Sequence, residues 1–405
     1  MRRTVLFLAI TSLIASSFVL AMPAFADTLV VDDDGMGVSG NCDDVTATHS
    51  TLTAAIAAAA AGDTIVVCPG TYAENVDVNK ALTIVGAKAG ESAGPTACPT
   101  VRGSAAEESE ITGVSGGQAV EISSTGATTF DGFTVNSAAG VAGQSAFYIT
   151  GGAGHVIQNN IMVAGHAIPT GTASGVKSQV LDDVDINNNN VMGFLFGMNL
   201  DSLVSTGAPS VVDSNCMSGN SALGLILQGG TNGAPDGQTV TNNLIQNNGA
   251  GIVMGPGNSD ILDNTIQNNT GTGITNAGTP RATNNEAHNN NIVGNGTGID
   301  NRFDESVNAE CNWYGSASGP MADDNPTGTG DSIVENPGEV DYTPWLTSSW
   351  PGGACEGTPP TPPSSKDDCK KGGWQSLTDD QGRPFKNQGD CVSYAATGGT
   401  NKADG

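Results

Sequence analysis

Aromatic and basic residues are scarce in this sequence. Phe, Trp and Tyr make up 5% of 405 residues, so a continuous platform of rings for stacking sugars or bases is not indicated. Lys and Arg number 14 against 41 Asp and Glu, which gives a net charge of -27. A surface of this charge repels nucleic acids, anionic lipids and polyanionic glycans unless cations intervene. We therefore expect no nucleic-acid partner and a monomer kept in solution by its charge.

The sequence after the first 26 residues also lacks apolar segments long enough to span a membrane and lacks closely spaced Cys or His pairs that bind metal. After residue 26 no apolar segment approaches the length of a membrane-spanning helix, so we expect no membrane span. Neither the CxxC nor the HxxxH spacing of zinc sites occurs, and the four histidines are scattered along the chain. A dedicated metal-binding motif is therefore not indicated.

The first 26 residues have the pattern of a secretory signal peptide. Arg2 and Arg3 precede an apolar run from Val5 to Leu20, and small residues at Ala24 and Ala26 precede Asp27. We predict cleavage after Ala26 and secretion of the mature chain.

All eight cysteines follow this leader, and an even number in an exported chain predicts disulfides. The local pair Cys369 and Cys391 is the natural partner choice, while 105 pairings of the whole set stay open. A Pro-rich linker at residues 356–365 separates residues 27–355 from a small module at residues 366–405. We predict these as the boundaries of the domains after the 1–26 leader.

Between residues 149 and 300 the frame apolar-x-Asn-Asn-x-apolar recurs at steps of 21 to 29 residues. Short alternating segments bounded by Asn and Gly are typical of strands, and each unit is too short to bury its own apolar face. We predict an all-β, right-handed parallel β-helix. The recurring Asn would adopt the left-handed turn conformation and bond to its counterpart one coil away. The predicted members are Asn160, Asn189, Asn215, Asn243, Asn264 and Asn291.

The segment before the first strands has a helical pattern. Ser50 or Thr51 can cap its start and Gly62 can end it. Its apolar face comprises Leu52, Ala55, Ile56 and Ala59. We predict a short helix that covers the open end of the first coil, which would otherwise expose unpaired strand edges.

Three motifs carry a family resemblance. "GDTIVVCPGTYAENVDVNKALTIVG", the Asn-Asn frames, and "CNWYG…GP…VDYTPWL" together resemble right-handed β-helix proteins of the pectin-lyase-like superfamily, including its copper-binding periplasmic family. The resemblance covers residues 28–346, and the terminal Cys segment resembles the ends of secreted actinobacterial proteins. The resemblance implies the fold but not the function, because the superfamily contains lyases, hydrolases, esterases and binding proteins.

Two sets of residues are candidates for catalysis. If Val184 and Ile186 point inward, Asp183 and Asp185 point outward about 7 Å apart, a spacing compatible with an inverting glycosidase. "SGVKSQV" has some likeness to the Lys-Ser strand of alginate-lyase-type β-helices, which makes Lys177 a candidate base. On the strand after each Gly-apolar step we predict an outward column of Lys177, Asn199 with Asp201, Ile226 with Gln228, Val253, Thr275, and Asp300 with Arg302. Arg302 is about five coils from Lys177, roughly 24 Å, too far to neutralise the same substrate carboxylate.

A lyase would therefore need Ca²⁺ to neutralise the substrate, held by carboxylates near Lys177. The candidate ligands are Asp182, Asp183, Asp185 and Asp201. No complete catalytic constellation is visible, so our leading hypothesis is a non-catalytic extracellular protein that binds a polysaccharide or another surface. The alternative is a Ca²⁺-assisted polysaccharide lyase or a glycosidase.

Overall fold

The computed structural model describes residues 26–33, 42, 47–95, 98–102, 107–138, 143–165, 173–179, 182–201, 209–228, 237–255, 257–277, 285–357, 362–380, 382–401 and 403. The predicted leader therefore lies outside the described residues, except for Ala26. Parts of the linker also lie outside them.

Over these residues the chain forms a right-handed parallel β-helix with three long sheets. Sheet 1 contains β1 (Thr28–Val31), β2 (Thr64–Val67), β5 (Thr83–Val85), β8 (Thr129–Asp131), β11 (Val156–Gln158), β14 (Asp185–Asn187), β17 (Val211–Asp213), β20 (Thr239–Thr241), β23 (Asp260–Leu262), β26 (Glu286–His288), β29 (Val307–Asn308) and β31 (Val340–Asp341). Sheet 2 contains β3 (Gly70–Ala73), β6 (Ser109–Thr112), β9 (Phe133–Asn136), β12 (Ile161–Val163), β15 (Asn190–Met192), β18 (Cys216–Ser218), β21 (Leu244–Gln246), β24 (Thr265–Gln267) and β27 (Asn291–Val293). Sheet 3 contains β4 (Val76–Val78), β7 (Val120–Ile122), β10 (Phe147–Ile149), β13 (Ser174–Ser178), β16 (Phe196–Asp201), β19 (Leu223–Gln228), β22 (Ala250–Met254), β25 (Thr272–Asn276), β28 (Thr297–Asn301) and β30 (Ile333–Glu335).

A regular coil contributes one strand to sheet 1, then one to sheet 2, then one to sheet 3. The strands are mostly three to six residues long. Their successive side chains alternate between the core and the outside, and the buried positions are mostly apolar. The central residues of successive sheet 1 strands are fully buried and stack in one column, for example Ile157, Ile186 and Val212. This stacking supplies the core that no single coil can form. The remaining elements are a short antiparallel pair, β32 (Trp345–Leu346) and β33 (Cys355–Gly357), two α-helices, α1 (Leu52–Ala58) and α2 (Gln388–Ala396), and a 3₁₀ segment (Lys370–Ser376).

The left-handed turn and the ladder hydrogen bond, which the sequence analysis predicted for one Asn in each coil, are divided between the two residues of each Asn-Asn pair. The first residue of the pair is in the left-handed region, with φ near 55° in Asn159, Asn188 and Asn242. Ser214 and Asp263 occupy the same position in their coils. The second residue is buried and forms the ladder. The short Asn side chain tolerates the left-handed backbone, whereas most other residues do not.

The ladder runs without a gap through the turn between sheets 1 and 2. In each member the backbone N–H and the side-chain Nδ2 both donate to Oδ1 of the next member, as in Asn243 to Asn264 at 2.9 and 3.0 Å. Its members are Asn160, Asn189, Asn215, Asn243, Asn264, Asn290 and Asn312. The prediction of Asn291 as the sixth member is wrong because the frame there begins one residue earlier, at the left-handed Asn289.

A second ladder, which the sequence analysis missed, follows the turn between sheets 2 and 3. It comprises Asn220, Asn248, Asn269 and Asn295. It ends on a carboxylate, since Asp331 accepts hydrogen bonds from the backbone N–H groups of Gly294 and Asn295 at 2.8 Å. Both ladders satisfy polar backbone groups that the solenoid buries at its corners.

The N-terminal helix α1 covers the first coil as predicted. Thr51 is its N-cap and accepts a hydrogen bond from the backbone N–H of Ala54 at 3.2 Å. The four predicted core residues Leu52, Ala55, Ile56 and Ala59 are all buried. The helix ends at Ala58 rather than at Gly62, which lies in the following turn with φ of 95°.

Charged side chains of the first coil satisfy both ends of α1. Glu74 accepts hydrogen bonds from the backbone N–H groups of Leu52 and Thr53 at 2.8 and 3.0 Å. At the other end Lys80 donates to the carbonyl groups of Ile56, Ala57 and Ala59 at 2.8, 3.1 and 2.7 Å. The negative charge at the N-terminus and the positive charge at the C-terminus both complement the helix dipole.

Four disulfides join Cys42 to Cys68, Cys98 to Cys216, Cys311 to Cys355 and Cys369 to Cys391. The predicted pair Cys369–Cys391 is confirmed. It lies in a C-terminal cluster of its own with buried Phe385 and Tyr394, whose ring centroids are 5.3 Å apart. The domain boundaries themselves stay a prediction. In the described part of the chain no helix is long and apolar enough to cross a membrane.

We expect Asn243→Ala to lower the free energy of unfolding by about 3 kcal/mol, because it leaves the buried backbone N–H of Asn215 without its acceptor and removes the side-chain donor to the carbonyl groups of Val212 and Thr241. Urea denaturation measures this loss. The matched control is Asn242→Gly, which changes the neighbouring left-handed residue and should cost less than about 1 kcal/mol. Equal losses in the two variants would contradict the assigned division of roles.

We expect Lys80→Met to lower the free energy of unfolding by about 1–2 kcal/mol, because the variant keeps the apolar stem but loses the bonds to the helix C-terminus. Lys88→Met also keeps the apolar stem and removes an ammonium group 3.5 Å from the exposed Glu91, so it should change stability by less than about 1 kcal/mol. Thermal unfolding of the two variants side by side distinguishes the helix contact from a general effect of charge.

Candidate functional site

The outer face of sheet 3 presents one continuous column of side chains. The strand register places each of them opposite its neighbours in the coils before and after. We call this set the central column, and it consists of Asp77, Glu121, Tyr148, Lys177, Asn199, Ile226, Val253, Thr275, Asp300 and Val334. Most of these side chains are half-buried, so the column forms a surface and not a set of projecting groups.

Tyr148 and Lys177 form the centre of the polar half of this column. They pair directly on β10 and β13, and the Lys177 ammonium lies 5.1 Å from the centroid of the Tyr148 ring. An ammonium at this distance is attracted by the electrons of the ring face. The contact holds the lysine stem along the sheet.

The environment of Tyr148 keeps its hydroxyl protonated. Burial raises the pKa of Tyr148, and the negative charge of Glu121 in the preceding coil raises it further. A phenol that acts as a base needs its pKa lowered toward neutrality. Tyr148 is therefore suited to donate or accept a hydrogen bond and not to abstract a proton.

A second row of side chains lies two residues further along the same strands and bonds back to the central column. Ser123 donates to Asp77 at 2.7 Å, and Gln228 donates to Asn199 at 2.5 Å. Asp201, opposite Gln228, has a pKa raised by burial. These contacts fix the orientation of the polar groups on the face.

The structure separates the residues that the sequence grouped into one catalytic site. Lys177 and Asp201 belong to sheet 3, whereas Asp185 begins β14 of sheet 1. Asp183 is not part of the strand at all, because it occupies the preceding corner with φ of 52°. The prediction of one site around Lys177, Asp183 and Asp185 is therefore not supported by their placement, and the role of each residue stays a prediction.

Asp185 nevertheless has a feature of catalytic acids. Its pKa is raised, first by burial between Val156 and Val211 of the flanking coils and second by the charge of Asp183. The same combination recurs at Asp260, whose pKa is raised by burial and by Glu286 on the next strand of sheet 1. The shift therefore follows from acidic side chains on an otherwise apolar sheet face and does not single out an active site.

The predicted Ca²⁺ set is not assembled either. Across the described residues no three His, Cys, Asp or Glu side chains are placed to hold one metal ion. Asp182 and Asp183 lie at a corner of the coil, Asp185 lies on sheet 1 and Asp201 lies on sheet 3, so the four do not converge in this structure and their role as metal ligands stays a prediction.

Tyr148 is the residue that sequence reasoning missed. "AFYIT" and "SGVKS" are both strands that start with small residues before an apolar position. Aligning these two segments in the sequence places Tyr148 opposite Lys177, the pairing that the structure has. The remainder of the predicted outward series, from Lys177 through Asn199, Ile226, Val253 and Thr275 to Asp300, has the predicted order in the structure.

Comparison with known proteins agrees with this architecture. Residues 108–312, just over half of the chain, match the family model described as periplasmic copper-binding protein (NosD). The chain belongs to the NosD family. The matched residues include every member of both Asn ladders, from Asn160 to Asn312 and from Asn220 to Asn295. No protein with a curated description shows significant similarity to the chain.

Two solved structures show distant likeness to this NosD-family chain. The A-module of the Azotobacter vinelandii mannuronan C-5 epimerase AlgE4 is 14% identical with a TM-score of 0.33, and the alignment covers 78% of this chain and 90% of the module. The A-module of AlgE6 from the same organism is 13% identical with a TM-score of 0.26, over 71% and 89% of the two chains. Scores this low support neither a shared site nor a shared activity.

The family name implies copper, and among the described residues no three His, Cys, Asp or Glu side chains converge to hold such an ion. Copper sites are built from imidazole, thiolate and thioether ligands that converge. Every cysteine is in a disulfide, and Met162, Met198, Met217 and Met254 are fully buried in the core. His155 is buried, with its Nδ1 bonded to the backbone N–H of Thr128 and its Nε2 bonded to the carbonyl group of Gly151. His166 lies outside the described residues.

We expect the oxidised, folded protein to retain far less than one copper ion per chain after equilibrium dialysis with Cu(II) and removal of loosely bound metal. Metal analysis of the dialysed protein measures this. Since His166 is not described, His166→Ala provides the control for a site that includes it. Stoichiometric copper that resists a weak chelator would contradict the expectation.

Proposed function

We propose that this chain is an exported β-helix scaffold that binds a neutral polysaccharide along the outer face of sheet 3 and does not cleave it. The observation that carries the proposal is the unbroken central column. It offers hydrogen-bonding groups at Tyr148, Lys177 and Asn199, followed by an apolar stretch at Ile226 and Val253. Sugar rings present hydroxyl groups at their edges and C–H groups on their faces, so both kinds of surface are needed to bind them.

The spacing of the column supports an extended chain as the ligand. Successive coils lie about 4.8 Å apart, which is close to the length of one sugar residue in an extended polysaccharide. A glycan that runs parallel to the solenoid axis would therefore meet an equivalent position in each coil. Each contact is weak, and affinity would accumulate over several sugar residues.

The charge of the face favours a neutral glycan over a polyuronate. Glu121 and Asp77 lie two and three coils before Lys177 on sheet 3, Asp201 lies on the strand after it, and Arg302 is paired with Asp300 at 2.7 Å. These carboxylates, together with the net charge of -27, would repel a polymer that carries a carboxylate on every sugar.

Export has independent support. Four disulfides are typical of proteins that mature outside the cytoplasm, and the predicted leader agrees with that location. The family is described as periplasmic, and we extend to this chain only a location outside the cytoplasm.

A Ca²⁺-assisted lyase or a glycosidase is the second candidate, and one observation favours it. Lys177 pairs with Asn199, and Asp201 follows two residues later on β16. An ammonium group and a carboxyl group therefore lie on neighbouring strands, and burial raises the pKa of the Asp201 carboxyl group. The carboxylates that would complete a metal site or an acid pair are on sheet 1 or its corner, away from this pair.

Glycan binding tests the proposal. We expect Tyr148→Ala and Lys177→Ala each to weaken binding of a neutral polysaccharide by about five- to tenfold, which corresponds to one contact of roughly 1 kcal/mol. The panel includes neutral glycans, pectate and alginate, each with Ca²⁺ or chelator, and affinity electrophoresis gives the binding. Lys88→Ala removes an equivalent charge outside sheet 3 and should leave binding unchanged.

The same incubations measure reducing ends and unsaturated products. Product formation that depends on Lys177 would replace the binding proposal with the enzymatic candidate. Binding that is equally strong in Tyr148→Ala, Lys177→Ala and the native protein would show that the glycan lies elsewhere on the molecule.

A further inference from the structure

The carboxylate of Asp63 is buried next to the first strand. Its side chain is 5% exposed and lies in the turn between α1 and β2. Oδ2 accepts a hydrogen bond from the backbone N–H of Ala60 at 2.7 Å, and Oδ1 accepts one from the backbone nitrogen of Asp27 at 2.9 Å. Neither contact supplies a positive charge, and no described Lys or Arg side chain forms an ion pair with Asp63.

Asp27 is the first residue after the predicted cleavage position. Ala26 and Asp27 are both exposed, at the start of β1. Immediately beyond them β1 pairs with β2, from Thr28 opposite Thr64 to Val31 opposite Val67. The nitrogen that bonds to Asp63 is therefore the atom that leader removal would convert from an amide into an amine.

We propose that Asp63 is the binding site for the α-ammonium group of the mature N-terminus, and that leader cleavage completes it. Hydrolysis of the Ala26–Asp27 bond adds the hydroxyl of water to the carbonyl carbon of Ala26 and a proton to the nitrogen of Asp27. The amine then takes up a second proton from solvent, since an α-amino group has a pKa of about 7.7–8.0. This inference rests on the predicted cleavage position and is independent of the glycan proposal.

The consequence is an ion pair that only the mature chain can form. In the precursor a neutral amide meets a buried carboxylate, which satisfies one hydrogen bond but leaves the charge without a counterion. In the mature chain an ammonium group with three donors occupies the same place, and a charge-assisted hydrogen bond is about twice as strong as a neutral one.

The position of Asp63 determines which part of the fold the ion pair stabilises. The carboxylate joins the start of β1 to the loop after α1, and the backbone N–H of Thr64 donates to the carbonyl group of Asp27 at 2.9 Å. β1 is the edge strand of sheet 1, and edge strands open more readily than central strands. Leader removal would therefore stabilise β1 at the N-terminal end of the solenoid.

Hydrogen exchange on two forms of the oxidised full-length mature chain tests the proposal. One form begins at Asp27, and the other retains Ala26 preceded by one added glycine. We expect the amides of Val30 and Val31 to exchange roughly five- to tenfold more slowly in the form that begins at Asp27. Asp63→Asn keeps a side-chain acceptor but removes the charge, so it should abolish the difference between the two forms.

Asp33→Asn is the matched control. Asp33 lies beyond the other end of β1 and accepts a hydrogen bond from the backbone N–H of Thr71 at 3.1 Å, so this variant should preserve the difference between the two forms. Equal exchange in the two native forms, or a difference that persists in Asp63→Asn, would overturn the proposal. The mass of the exported protein checks its premise, and a mature N-terminus other than Asp27 would overturn it as well, whatever the glycan assays show.

Discussion

The hydrogen bond between stacked asparagine side chains is the interaction on which the rest of this structure depends. A parallel solenoid turns sharply at each corner, and each turn leaves backbone groups that the strands cannot pair. The two ladders satisfy these groups inside the core, because each Asn presents one acceptor to the coil before it and its donors to the coil after it and to nearby carbonyl groups. An aliphatic residue of similar size would fill the space but would leave the donors without partners.

The ladders also determine how the outside of the molecule is arranged. Because each rung sets the register between consecutive coils, side chains at equivalent positions align into straight columns on the surface. Loops of different length then leave each coil without disturbing this alignment, since ladder members are separated by 21 to 29 residues. The contact of Lys177 with the ring of Tyr148 on the outer face of sheet 3 is one result of this alignment.

Much of the fold could be predicted because the physical rules involved are local. Alternation identified the strands, the apolar spacing identified the buried face of α1, and proximity identified the Cys369–Cys391 pair. The order of the outward series from Lys177 to Asp300 followed from the repeat itself. The candidate site was predicted less well, since Lys177 and Asp185 are eight residues apart but belong to different sheets. Whether a short segment contains a strand or a corner depends on one left-handed residue, here Asp183. Aspartate tolerates that conformation, but the apolar alternation around it was interpreted as a strand.

If the chain is exported N-terminus first, as proposed above, the disulfide between Cys98 and Cys216 imposes an order of events on its oxidation. Cys42 and Cys68 are 26 residues apart and can be oxidised soon after the first coil has passed, whereas Cys98 must wait for a partner 118 residues behind it. During that interval Cys98 is a thiol in an oxidising compartment, exposed to exchange with the wrong cysteine. Only Cys42 and Cys68 precede it among the cysteines already exported, and early closure of that pair removes both competitors.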